Sequence, residues 1–474
     1  NVYKNYDEFI EKIKNKKILF CGVGRSNAPF IDMITHESIA VSVYDSKKED
    51  DLDQDLIKHL KNNKFVSLRV HDESIWNEEY DIIIRTPGMN FLCEKLSTAR
   101  ENGAIVTSEM EIFFDICPCP IIGITGSDGK TTVSTLIYKM LTSQGITAHL
   151  GGNIGSPLLP KISQIHKNDI AVVELSSFQL ISMRRSPDIA VITNISPNHL
   201  DVHKDMQEYI DAKKQIILHQ NAFSEAVLNF DNFETKKMKD ITRGKTLFFS
   251  ISNKLKNGVW KDDDGNIIIS RNGKDEKIMN VSEIRIPGCH NIENYLAAIT
   301  AISDLVSFQN IRKIANSFNG VEHRIEFVDK INGVTYYNDS IASTPNRTIK
   351  GVLSLFDKKI LLIAGGYDKN ISFDEFASEI TKKVSVLILL GNTSEKIKNK
   401  VIESENYKKN NPKIIQVKSM NEAVEAAYNN SQPGDIVALS PACASFDLYK
   451  NFEDKGKHFK SLVKSLNKIH SLKN

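Results

Sequence analysis

The residues best placed to do chemistry lie between 119 and 132, in Cys-Pro-Ile-Ile-Gly-Ile-Thr-Gly-Ser-Asp-Gly-Lys-Thr-Thr. A β-prone run (Ile121, Ile122, Ile124) breaks into the turn Gly126-Ser127-Asp128-Gly129. Lys130-Thr131-Thr132 then opens a helical pattern through Val133, Leu136, Ile137, Met140 and Leu141. Strand, glycine turn and helix N-terminus in that order make an anion site, because backbone N–H groups converge there and the helix dipole adds partial positive charge. Lys130 in that position reaches the β- and γ-phosphates of a nucleotide, and the Thr131 hydroxyl ligates Mg²⁺. The strict spacing G-x-x-x-x-G-K-[ST] is not met, since Ile124 stands where its first glycine belongs. An ordinary glycine turn is the competing reading, and the Gly-Lys-Thr-Thr sequence at a strand-to-helix junction weighs against it.

Further candidates follow along the chain. The buried-strand pattern Ala171-Val-Val-Glu174 delivers a carboxylate at a strand tip, where it can hold Mg²⁺ directly or through water. A carboxylate capping a helix is the alternative. Ile189 to Asp201 repeats the plan and puts His199 just past a strand end. Lys213 sits on a helical segment and reads as a surface lysine. Asn291 and Asn294 share one helix face, suited to reading a base edge or simply to capping. In the last third, strand-end turns carry Lys369 and Ser445, which could meet an anionic substrate, and Cys443, which lacks a partner histidine for nucleophilic work.

The elements that must position these groups are short apolar strands alternating with helical segments. That is the pattern of parallel α/β sheets, with ligands beyond the carboxyl ends of the strands. At 474 residues, with 41% apolar and 25% charged residues, about three domains are expected. In the first, Lys17 to Asn27 runs from a strand into Gly22-x-Gly24, and Val41 to Asp45 ends in an acid. The layout is that of a dinucleotide fingerprint lacking its third glycine, which Asn27 replaces. A nicotinamide oxidoreductase would rest on that loop alone. Ser108 and Glu111 read as a helix start, and residues 221–286 as short strands with a hairpin forming a small accessory β-sheet.

Net charge is +2, from 61 basic and 59 acidic residues, which gives no reason to expect nucleic acid as partner. The basic segment from Lys455 to Lys473 reads as a solvated helix face. No run is long enough for membrane insertion, no signal-peptide pattern is seen, and six cysteines are too few for a disulfide framework. A cytoplasmic protein is expected. Cys117-Pro-Cys119 has no second pair at ligand spacing and reads as structural.

Taken in order, Gly-Ser-Asp-Gly-Lys-Thr-Thr, the strand-end Glu174, the Asn194 to His199 loop, Gly288-Cys-His-Asn291, His323-Arg324 and Asn338-Asp-Ser340 resemble the Mur ligase family over essentially the full length. Glu174 to Leu180 and Leu439 to Asp447 resemble its D-glutamate-adding branch. The resemblance implies a Rossmann-like N-terminal domain (1–108) for a UDP-sugar, a central P-loop ATPase domain (109–320), and a Rossmann-like C-terminal domain (321–474) for an amino acid. It implies ATP, UDP-N-acetylmuramoyl-L-alanine and D-glutamate as substrates, Mg²⁺ as cofactor, a monomer, and amide-bond formation for peptidoglycan precursors and the cell wall.

It also implies roles for single residues. Gly126, Ser127, Asp128, Gly129, Lys130, Thr131 and Thr132 would hold the ATP phosphates, with Asn291 and Asn294 at adenine and Arg324 and Asp339 at phosphates and ribose. Glu174 and His199 would be metal ligands, joined by Lys213 as a carbamylated lysine. Ser26, Asn27, Asp45, Ser46 and Gly88 would cradle the uridine diphosphate, while Asn153, Ser177, Gln179 and His199 would meet the muramoyl-alanine arm. Lys369, Ser445, Phe446 and Phe452 would take D-glutamate. Ile341 departs from the lysine that some members carry. A ligase using another amino acid, or a P-loop protein that binds nucleotide without synthesis, are the competing readings.

Overall fold

A computed structural model describes residues 5–24, 26–153, 155–196, 204–408 and 411–471, with side chains described as far as 466. The chain divides into two compact units, residues 1–283 with 290–315, and residues 284–289 with 316–474.

The first unit carries two sheets. Strands β1 (Ile18–Cys21), β2 (Val41–Asp45), β3 (Val66–Val70), β4 (Ile82–Arg85) and β5 (Ile105–Thr107) are parallel throughout, in the order β3-β2-β1-β4-β5. β1 and β4 are buried along their whole length, which is why they read as unbroken apolar runs rather than alternating ones. The connection order reverses at β1, so the loops after β1 and β4 open a crevice at the carboxyl edge.

The second sheet has nine strands: β6 (Ile121–Thr125), β7 (Ala148–Gly152), β8 (Ile170–Glu174), β9 (Ile189–Ile192), β10 (Glu225–Asn229), β11 (Lys245–Ser250), β12 (Gly258–Lys261), β13 (Asn266–Arg271) and β14 (Lys274–Asn280). Their order is β14-β13-β12-β11-β10-β9-β6-β8-β7. The accessory strands expected over 221–286 are present. They are not a separate sheet: β10 pairs with β9, so the hydrogen-bonded ladder runs on without interruption. Only the β12-β13 and β13-β14 pairs are antiparallel. Asn272-Gly273, with φ of 52° and 78°, makes the tight turn between the last two. The outermost strand exposes Lys274, Asp275, Glu276 and Lys277 in succession.

The two sheets of this unit share one apolar core. It runs from Phe20, Phe30 and Ile84 of the first sheet's layer, through Met110, Phe113 and Phe114 of the helix Glu109–Ile116, to Leu175, Leu180 and Ile192 of the second. Ser108 caps that helix as its sequence suggests, accepting from the Glu111 N–H.

The second unit holds β15 (Glu326–Ile331), β16 (Val334–Asn338), β17 (Ile360–Ala364), β18 (Val384–Leu389), β19 (Lys413–Gln416) and β20 (Ile436–Leu439), ordered β15-β16-β20-β17-β18-β19. All pairs are parallel except the β15-β16 hairpin, which turns at Asn332-Gly333. The helix Phe452–Ser471 is not simply a solvated face. It sinks Phe459 and Val463 into the core and buries Lys455 completely, with the ammonium on the Gly365 carbonyl at 3.0 Å. No described helix is long and apolar enough to cross a membrane.

Candidate active site

β6 lies between β9 and β8 and is fully buried, so the loop that leaves it is held at the carboxyl edge with a strand on either side. The loop is shaped by glycine. Gly126 has φ of 152°, and a Cβ there would lie 1.8 Å from the Thr193 hydroxyl. Gly129 is left-handed at φ 81°, and its Cβ would meet the Asn294 amide oxygen at 2.3 Å. The walls are also hydrogen-bonded. Ser127 N–H and Asp128 N–H donate to the Asn194 backbone and side-chain oxygens, both at 2.9 Å. Gly129 then starts the helix Lys130–Ser143, whose N-terminus meets the loop.

Lys130 donates to the Gly126 and Ser127 carbonyls at 2.9 and 3.1 Å, folded against the loop it must serve. The Thr131 hydroxyl donates to Glu174 Oε2 at 2.8 Å, and the Asn153 amide donates to Glu174 Oε1 at 3.0 Å. Glu174 is therefore a buried strand-end carboxylate with both oxygens already aimed. Asn153 follows directly on β7. Gly151 and Gly152 are the end of that edge strand.

Lys213 corrects the surface assignment. It is 1% exposed on the helix Met206–Leu218, with its ammonium 2.9 Å from the Gly126 carbonyl and 3.2 Å from the Thr125 hydroxyl. Burial, reinforced by the charge of Lys130, holds its pKa well below the usual lysine range. Asp128 and Glu174 oppose the shift. His199 lies outside the described residues. Asn291 and Asn294 do share a face, joined at 3.2 Å, and Asn294 closes over Gly129.

Around the first sheet, the Asp45 carboxylate is fixed by the Val23 and Lys47 N–H groups, each at 3.0 Å, beside the Gly22-x-Gly24 turn. Ser46 is exposed at the same corner. Asn27 is fully buried. Its amide nitrogen ties to the Cys21 and Gly22 carbonyls, while its Oδ1 has no partner among the described residues. Ser26 and Gln179 line one cleft, together with Arg85, Pro87 and Ser108. Gly88 lines a neighbouring one, with Phe91 and Phe178. Ser177 is buried, and Gln179 completes a capping box with Ser176. Arg85 carries no signal of this role in the sequence, where it is only the last residue of an apolar strand.

In the second unit, Arg324 is exposed between His323 and Ile325, whose φ values of 66° and 44° mark a strained backbone. Asp339 is buried and accepts from Ser440 Oγ at 2.7 Å and the Ile325 N–H at 3.2 Å. Desolvation pushes its carboxyl up to about 7. Lys369 is exposed. Phe446 is 66% exposed and packs edge-on to Tyr367, and Phe452 packs edge-on to His323. Ser445 is buried, with its hydroxyl unpartnered among the described residues. Burial pushes the Cys443 thiol up to about 11, so it is a poor nucleophile.

Among the described residues no three His, Cys, Asp or Glu side chains form a metal cluster. Thr131 and Glu174 are hard oxygen donors at the mouth of a phosphate loop. That set suits Mg²⁺, which keeps waters and takes one or two carboxylates together with substrate phosphates.

The Mur ligase middle domain matches residues 124–302, and the Mur ligase glutamate ligase domain matches residues 323–443. The chain is 46% identical to the UDP-N-acetylmuramoylalanine–D-glutamate ligase of Acetivibrio thermocellus, over 97% of this chain and 98% of the relative. It is 47% identical to the enzyme of the same name from Clostridium kluyveri, over 98% and 100%. Among solved structures, the fold is similar to that of UDP-N-acetylmuramate-alanine ligase from Thermotoga maritima, with a TM-score of 0.54 at 17% identity, covering 95% of this chain and 100% of the other. A UDP-N-acetylmuramoyl-L-alanyl-D-glutamate–2,6-diaminopimelate ligase gives 0.53 at 19%, covering 76% and 86%.

Proposed function

The chain belongs to the Mur ligase family, and we propose from that premise how its residues join D-glutamate to UDP-N-acetylmuramoyl-L-alanine. The reaction is ATP-dependent amide formation in peptidoglycan precursor synthesis. The observation that carries this reading is similarity to D-glutamate ligases along nearly the whole chain, with Lys130, Thr131, Glu174 and Lys213 brought to one loop.

A carboxylate resists attack by an amine because its leaving group would be oxide. Transfer of the γ-phosphoryl group of ATP to the alanyl carboxylate gives an acyl phosphate. The D-glutamate amine then attacks the acyl carbon, and phosphate leaves. The work asked of the protein is positioning and charge neutralisation. The loop N–H groups and the helix Lys130–Ser143 bind the phosphates, and Lys130 leaves the Gly126 and Ser127 carbonyls for the phosphate oxygens. Asn291 and Asn294 flank the adenine. Thr131 and Glu174 would hold Mg²⁺, with His199 as a further ligand. When bound, the ion supplies charge neutralisation at the transferring group.

Lys213 is the carbamylation site in this reading. A neutral amine adds CO₂ and releases a proton, turning a buried cation into an anion able to bind metal. What supports it is a lysine whose cationic form is disfavoured by burial and by Lys130.

Residues 1–108 take the uridine diphosphate through Ser26, Asn27, Asp45, Ser46 and Gly88. Residues 109–320 take ATP and, through Asn153, Ser177 and Gln179, the muramoyl-alanine arm. Residues 321–474 take D-glutamate through Lys369, Ser445, Phe446 and Phe452, with Arg324 and Asp339 serving the nucleotide. Asn27 Oδ1 and the Ser445 hydroxyl are among the buried polar atoms without a partner in the described residues, which supports a ligand group reaching them. ADP release with UDP-N-acetylmuramoyl-L-alanine tests the function. D-Glu should support it, and L-Glu, L-Ala and a diamino acid should not. Equal release with a diamino acid would reassign the amino-acid specificity.

A further inference from the structure

We infer that Arg85 is a positioning residue that sets the width of the UDP-sugar cradle, an inference that rests on the cradle assignment above. Its side chain is 1% exposed and lines both clefts of that region. Nη1 donates to the Met89 carbonyl at 3.1 Å, and Nη2 donates to the Phe178 carbonyl at 2.9 Å. Met89 immediately follows Gly88, and Phe178 lies between Ser177 and Gln179. One planar guanidinium thus grips the backbone beside the expected contacts on the first sheet and beside those on the second.

A relay fixes the grip. Nη2 also donates to Ser182 Oγ at 2.7 Å, Ser182 Oγ donates to Glu111 Oε2 at 3.0 Å, and Ser108 Oγ donates to the same oxygen at 2.8 Å. Burying a guanidinium beside mainly neutral acceptors is costly, and an apolar residue would fill the volume at less cost. The fork shape is what an aliphatic chain cannot supply. The Nε–H has no hydrogen-bond partner among the described residues, so the two Nη groups carry the grip. A lysine keeps the charge but cannot span two carbonyls in one plane.

The test is steady-state kinetics on the full chain with Arg85→Lys, varying each of the three substrates in turn. The KM for UDP-N-acetylmuramoyl-L-alanine should rise about tenfold or more, while the KM values for ATP and D-glutamate stay within about twofold. Ser182→Ala, which keeps the arginine and removes only the relay, should move the same KM in the same direction by less. An unchanged KM for the UDP-linked substrate, or a parallel rise for all three substrates, overturns the inference. Should Arg85→Lys not fold, Ser182→Ala decides by the same criterion. Asp45→Asn serves as the control on the cradle itself. If it too leaves that KM unmoved, the cradle assignment fails. If it alone raises the KM, only the role of Arg85 fails.

Discussion

Lys130 and Lys213 donate to the same oxygen, the Gly126 carbonyl, each at 2.9 Å. Burial first, and then the repulsion between two ammonium groups on one acceptor, lowers the Lys213 pKa and holds it towards its neutral form. The same geometry would turn repulsion into attraction once Lys213 carried a carbamate.

Lys213→Ala should therefore lose activity by about a hundredfold or more and regain part of it with millimolar short-chain carboxylate, which replaces the missing anion. ADP release with and without added acid checks this. Full activity in the unsupplemented variant would remove Lys213 from the mechanism.

Lys130→Ala should lower ADP release by about a thousandfold, because it deletes the cation on the transferring phosphoryl group. The fold should survive, since the lysine donates to the Gly126 and Ser127 carbonyls of the loop and is no part of the apolar core. Far-UV circular dichroism and a thermal melt on the same preparation separate the two effects.

These two lysines mark how much was legible in the chain. Lys130, Thr131 and Glu174 could be found because local rules place them: a glycine turn followed by a helix, and an acid at the end of an apolar strand. Lys213 and Arg85 could not. Each has ordinary neighbours in sequence, and its burial is created by elements 88 and 93 residues away, at Thr125 and Phe178. Three of the edge strands, β3, β7 and β19, were equally silent. β3 and β19 are short and half-exposed, and β7 ends in two glycines, so none shows the continuous apolar pattern that revealed the central strands.

Glu109 should make the protein less stable as pH rises. It is 4% exposed, accepts from the Leu159 N–H at 3.2 Å, and burial pushes its carboxyl up to about 7 from an ordinary 4.5. The folded state then binds the proton more tightly than the unfolded one. Stability is highest below about pH 4.5 for this group and is lost as pH rises through 7, by an amount on the order of 3 kcal/mol. Glu109→Gln should flatten that part of the profile and raise the melting temperature more at pH 8 than at pH 5. A variant melting in parallel with the wild type at both pH values would contradict the assignment.

Cys443→Ser should retain at least about half of wild-type turnover. Its thiol is buried against the Thr393 hydroxyl at 3.3 Å and is held protonated. Loss of all activity with an unchanged melt would restore a chemical role to the sulfur.

The row of Lys274, Asp275, Glu276 and Lys277 along β14 has a bearing on the molecule's life in a crowded solution. Any neighbour zipping its own backbone onto that flank would have to strip hydration from four ions of mixed sign. That flank of the nine-stranded ladder is thereby closed to growth and does not become the seed of a fibre.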